Sequence, residues 1–148
     1  MDFQQAGEDG RKGDTPLIGA ASLGAEDAGI KLLDAGASPR LRGLFGETAL
    51  DWAALLGEDR LTTRLIEGLD EDLLNLKDED YQSSPLEWSV YGWCNPPSGN
   101  RGRQCEVVRL LVSSRAIVGP SLLESHAVRS DPAILAALRL GDDGDDGV

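Results

Sequence analysis

Aromatic residues, cationic charge, histidine and cysteine are all scarce in this chain. Aromatics make up 5% of its 148 residues, which argues against a β-sandwich built on Tyr, Phe and Trp ladders. Lys and Arg number 14 against 26 Asp and Glu, a formal net charge of -12. Duplex nucleic acid is bound mainly by neutralising its phosphates, so that class of partner is not expected. An anionic membrane surface would repel the chain as well. No run of about 18 apolar residues occurs, so no membrane span is expected. The first residues, MDFQQAGEDGRKGDT, carry acids where a secretory leader needs a basic start and an apolar run. These absences predict a cytoplasmic protein whose two cysteines are thiols. One His with two Cys that lack CxxC spacing is a poor metal set. No P-loop or dinucleotide fingerprint is present. Neither metal nor cofactor is expected, and no nucleophilic constellation is visible.

What is present is Leu, Ala and Gly in a chain that is 41% hydrophobic. That composition favours helices packed through small residues, and the length suits one domain with a real core. An internal period organises it. GDTPLIGAASLG (13–24) aligns with GETALDWAALLG (46–57), and every match is offset by 33 residues. Each segment is followed by a second apolar helix, IKLLDAGAS (30–38) and LTTRLIEGLD (61–70). A third copy reads SSPLEWSVYG (83–92), with its second helix EVVRLLVSS (106–114) delayed by an insertion. A degenerate fourth reads SLLESHAV (121–128), then DPAILAALRL (131–140). Thr15, Thr48, Ser84 and Ser121 are the expected N-caps of the first helices, and Ser130 or Asp131 that of the last. Pro16, Pro85 and Pro132 occupy first helical positions, where a missing N–H costs nothing. Gly24, Gly36 and Gly57 are placed to end helices in the left-handed region.

The TPL…AA…G…LL…GA pattern at this period resembles the ankyrin repeat, over residues 13–140. The resemblance implies an all-α fold, an ankyrin-type α-solenoid of about four helix-turn-helix repeats with an insertion in the third. The units fall near 13–45, 46–80, 81–117 and 118–140, and the insertion is 94–105. Residues 1–12 form a lead-in, and 141–148 read as a disordered acidic tail. One departure from the family concerns its TPLH histidine, replaced here by Ile18, Asp51, Glu87 and Glu124. The capping network of that His is absent, and its replacement is open.

Two functions compete. The favoured one, implied by the resemblance, is a module that binds another protein through its concave face and turn tips, and the net negative charge suits a basic partner. Leu44 and Phe45 precede a turn glycine, and Asp80 and Tyr81 form the next tip. Tyr91, Trp93, Arg101 and Arg103 gather aromatic and cationic groups near the insertion. The acidic stretch from Asp70 to Asp80 otherwise reads as a solvated face. The alternative is a groove for a small molecule, or an enzyme. Asp51, Glu87 and Glu124 recur at one position in successive units and would supply acid and base across a substrate, beside an apolar wall of Trp52, Trp88, Tyr91 and Trp93. The same acids suit a helix N-terminus without any chemistry. The Trp residues fit an inter-repeat core, and His126 a partly buried packing position. A third reading, an acidic mimic that blocks a nucleic-acid-binding protein, rests on net charge alone. Dimerisation through the solenoid ends is compatible with all three.

The insertion, CNPPSGNRGRQC (94–105), has no hydrophobic period and carries Arg101 and Arg103. It fits a tolerated projecting loop, a segment packed on the chain's own acids, over the groove as a lid, or a grip for an acidic group on a partner. A Cys94–Cys105 bridge would contribute ~2–3 kcal/mol, and in a reducing compartment it is expected open.

Overall fold

The computed structural model describes residues 15–146. The lead-in (1–12), residues 13–14 and residues 147–148 lie outside the described residues. Among the described residues the protein is all-α: ten α-helices, one 3-10 turn and no strand.

The helices arise where the caps are. Thr15 Oγ1 accepts the Ile18 N–H at 3.1 Å and starts α1 (Pro16–Ser22), which is followed by α2 (Glu26–Asp34). Thr48 precedes α3 (Ala49–Leu56), and the chain reverses through Gly57 at φ 75° into α4 (Asp59–Glu67). A single turn, α5 (Glu71–Leu74), is capped by Asp70 and buries Leu74. Ser84 opens α6 (Pro85–Cys94), and α7 (Gln104–Ser113) is its partner. The expected 33-residue offset thus reappears as α1/α2 and α3/α4, with α6/α7 as the third pair.

These pairs stack in two rows. In one row α1 packs on α3, α3 on α6, and α6 on α9 (His126–Arg129). In the other α2 packs on α4, α4 on α7, and α7 on α10 (Pro132–Asp146). Repeat-matched leucines, Leu17, Leu50 and Leu86, are all buried in the first row. Leu61, Leu65, Val107, Val108, Leu111, Ile134 and Leu138 fill the space between the rows. Small residues let the first row close up: Ala53 and Ala54 are fully buried, and Gly92 of α6 lies under the Leu55 carbonyl of α3.

Four expectations need correction. The fourth unit does not open on a Ser121 cap. Gly119 precedes the five-residue α8 (Pro120–Glu124), and Ser125, in extended conformation, ends it and then caps α9. That split leaves Glu124 at a helix end and His126 exposed, not a packing residue. The tail is not disordered from 141: α10 continues to Asp146. Once a helix is nucleated and docked, each further residue adds one backbone hydrogen bond. Finally, the insertion does not project. Cys94 closes α6 and Cys105 lies in the first turn of α7, so the irregular segment is 95–103 with a 3-10 turn at Pro97–Gly99. It folds back on the α3–α4 corner, where the Arg103 N–H donates to the Gly57 carbonyl at 3.2 Å and Gln104 Nε2 to the Leu55 carbonyl at 3.0 Å. Cys94 and Cys105 are free thiols.

Candidate functional site

Two turns frame a cleft on the face of α3 and α6. The first is tight: the Gly43 N–H donates to the Glu47 carbonyl at 2.6 Å, and Gly46 sits at φ 73°. Its tip holds Leu44 and Phe45, 60% and 48% exposed. The second turn runs from Asp78 to Ser83, with the Asp78 N–H donating to the Ser83 carbonyl at 3.1 Å. Arg42 ties the turns together. Its guanidinium donates to the Gly46 carbonyl at 2.9 Å, the Lys77 carbonyl at 3.1 Å and the Glu79 carboxylate at 3.5 Å.

Each turn is held to its following helix by the same device, a buried carboxylate receiving an indole. Glu47 accepts the Phe45 N–H at 3.0 Å and Trp52 Nε1–H at 2.9 Å. Asp78 accepts the Tyr81 and Ser83 N–H groups at 2.7 and 3.0 Å, and Trp88 Nε1–H at 3.1 Å. Both acids are nearly inaccessible, which such saturation permits. The indoles are thereby oriented with their rings toward the space between the turns.

That space is a cleft of about 610 Å³. Phe45, Trp52 and Leu55 form one wall, and Tyr81, Trp88 and Tyr91 the other. The second wall is a run of edge-to-face contacts: Tyr81 meets Trp88 at 5.4 Å and 81°, and Trp88 meets Tyr91 at 6.0 Å and 87°. Glu47, Asp51, Asp78 and Ser83 supply the polar lining, and no basic residue takes part.

Asp51 is the unusual group. Its Oδ2 accepts the Thr48 N–H at 3.1 Å, while Oδ1 is buried without a partner. Burial pushes its pKa up to about 8. The Thr48 hydrogen bond opposes this, the charges on Asp78 and Glu47 add to it, and Arg42 offsets a little. At neutral pH this carboxyl is therefore largely protonated, a neutral acid on an aromatic floor.

The sequence-predicted residues divide between two places. Phe45, Tyr81 and Tyr91 line the cleft, and Leu44 and Asp80 stand exposed on the same turn tips. Trp93, Arg101 and Arg103 do not line it. Trp93 Nε1–H donates to Asp131 at 2.8 Å, and Arg101 lies 4.0 Å over the Trp93 ring while pairing with Asp131 at 3.2 Å. Asp131 also accepts the Ala133 and Ile134 N–H groups, so one carboxylate caps α10 and anchors the insertion. Arg103 pairs with Asp59 at 2.9 Å. The insertion is bound to the chain's own acids and does not cover the cleft as a lid.

The expected row of Asp51, Glu87 and Glu124 does not form. Only Asp51 lines the cleft. Glu87 accepts the Ser84 N–H at 2.8 Å while Ser84 Oγ accepts the Glu87 N–H at 3.2 Å, a reciprocal capping box. Glu124 is exposed at the end of α8. Asp51 and Glu87 thus each bond back to the N–H of the residue that caps their helix. Trp52 and Trp88 pack on the core but are only half buried, with their outer faces in the cleft. The third indole follows the same rule, so all three Trp residues donate to a carboxylate.

Glu47 and Asp78 were not legible as site residues. Asp78 lies in the stretch read as a solvated face, yet it is 1% exposed. The available signal was an acid before each cap with a Trp following, at spacings of five and ten residues. Among the described residues, no group of three or more His, Cys, Asp or Glu is placed to hold a metal ion, and no helix is long and apolar enough to cross a membrane. No protein-family model matches this chain, and no curated protein matches its sequence.

Proposed function

We propose that this protein is an ankyrin-type solenoid that binds another protein through the cleft between its turns. Support for the architecture comes from the 33-residue sequence offset together with the two stacked rows of helices. The observation that carries the function is the cluster of exposed apolar side chains around one concavity. Leu44, Phe45, Tyr81 and Tyr91 are each about half or more exposed, and three of them line the cleft. Large aromatic groups left open at the rim of a concave surface are the anchors that protein interfaces use.

The test is the double change Leu44→Asp, Phe45→Asp. Both side chains lie on a turn tip outside the core, so the expected result is loss of partner capture with melting temperature unchanged. Loss of folding would assign the pair to the core and remove the anchor.

Acid–base chemistry in the same cleft is favoured by one observation, the buried and partly unpartnered Asp51 carboxyl. It keeps one of its three carboxylates, since Glu87 and Glu124 lie outside the cleft. A turnover assay on candidate substrates, compared between the wild type and Asp51→Asn, separates it from binding.

A further inference from the structure

We propose that the cleft receives the cationic end of a lysine or arginine side chain presented by a partner's peptide segment. This rests on the protein-binding function above and specifies what that surface recognises.

Three observations converge. First, the walls are π-faces. Trp52, Trp88, Tyr81 and Tyr91 surround the cleft, and such rings attract a cation through their quadrupole. Second, the polar lining is acidic without any cation of the chain itself. The guanidinium beside it, Arg42, is already engaged with the Gly46 and Lys77 carbonyls and with Glu79. Third, one buried carboxyl oxygen is unmatched. Glu47 and Asp78 are satisfied by backbone and indole N–H groups, but Asp51 Oδ1 is buried without a partner on a side chain only 5% exposed.

Those features discriminate between occupants. An anionic group would face Glu47 and Asp78. A purely apolar group would leave Asp51 Oδ1 unmatched. A cation on an aliphatic stem matches both, with the stem along Phe45 and Leu55 and the head at Asp51. The head also changes the protonation of its acceptor. Asp51 faces the carboxylates of Glu47 and Asp78 and, more weakly, the Arg42 guanidinium. An entering ammonium supplies the charge this carboxyl lacks, so Asp51 gives up its proton to water as the ligand binds. Binding then strengthens with rising pH while the ligand stays charged.

The experiment is an ¹⁵N NMR titration of the full chain that follows the three indole Nε1–H signals. Trp93, bonded to Asp131 away from the cleft, is the internal control. The probes are a glycine-flanked lysine peptide, its arginine and norleucine counterparts, and n-butylammonium chloride. The expected result is movement of the Trp52 and Trp88 signals with Trp93 still, and affinity for the lysine or arginine peptide about tenfold above norleucine. That preference should grow as pH rises and disappear in Asp51→Asn. Equal binding of the norleucine peptide would overturn the cation while leaving a protein-docking surface. Butylammonium bound as tightly as the peptides would overturn the peptide as occupant and, with it, the protein-binding function of this cleft. No shift at Trp52 and Trp88 with any probe would overturn both.

Discussion

Replacing Asp51 by Asn should stabilise the free protein, by an amount that depends on pH. The folded carboxyl has its pKa raised from 3.8 to about 8, chiefly by burial. For an acid raised in this way the folded state holds the proton that the unfolded state has released. The stability it contributes is complete below the unfolded value and is lost as pH climbs through the folded one. At ~1.4 kcal/mol per pKa unit, the full gap sets a ceiling near ~6 kcal/mol. Asn removes the ionisation but keeps an oxygen for the Thr48 N–H, so the cap of α3 survives. Urea unfolding of both proteins near pH ~3, below the unfolded value, and again near pH ~8.5 measures the difference. The two should be nearly equal at the lower pH, and the variant should be several kcal/mol more stable at the higher, within the ~6 kcal/mol ceiling. Glu58, a second buried carboxyl raised to about 8 by burial and by Glu26, titrates in both proteins and cancels in the comparison. A difference that is constant with pH, or a variant that loses stability as pH rises, would refute a buried and mostly neutral Asp51.

Two further changes test how the helices are joined. Gly92→Ala would gain up to ~1 kcal/mol of helix propensity, but its new Cβ would overlap the Leu55 carbonyl, which also accepts Gln104 Nε2–H. Prising α6 from α3 should cost ~2 kcal/mol net and lower the melting temperature by ~4–8 °C; a variant as stable as the wild type would mean the two helices lie further apart. Asp131→Ala removes the α10 cap together with the partner of Trp93 and Arg101, and should cost ~1–2 kcal/mol. Asp131→Asn should recover most of that loss, and hydrogen exchange in 95–103 should rise only in the Ala variant.

The helices were legible because local chemistry decides them. Thr15 and Ser84 cap, Pro16 and Pro85 start, and Gly57 turns the chain, all within a few residues of sequence. The repeat then indicated which helices are neighbours. The site was only half legible, since side-chain direction there depends on the turns. Phe45, Tyr81 and Tyr91 were placed by their positions at tips. Asp51 and Glu87 occupy the same repeat position and both bond back to a cap, yet only Asp51 faces the cleft. Asp78 looked solvated because the acids around it are, and only the closing of its turn over Tyr81 and Ser83 buries it. The insertion's fate turned on long-range pairs, Arg101 with Asp131 and Arg103 with Asp59. Nothing local selects those partners in a chain with 26 acids.

A crystal structure with the glycine-flanked lysine peptide tests whether the cleft between the two turns receives a cationic side chain. The expected result is the ammonium between the Trp52 and Trp88 rings, beside the Asp51 carboxyl. A peptide seated on the 95–103 segment, with the cleft unoccupied, would contradict it.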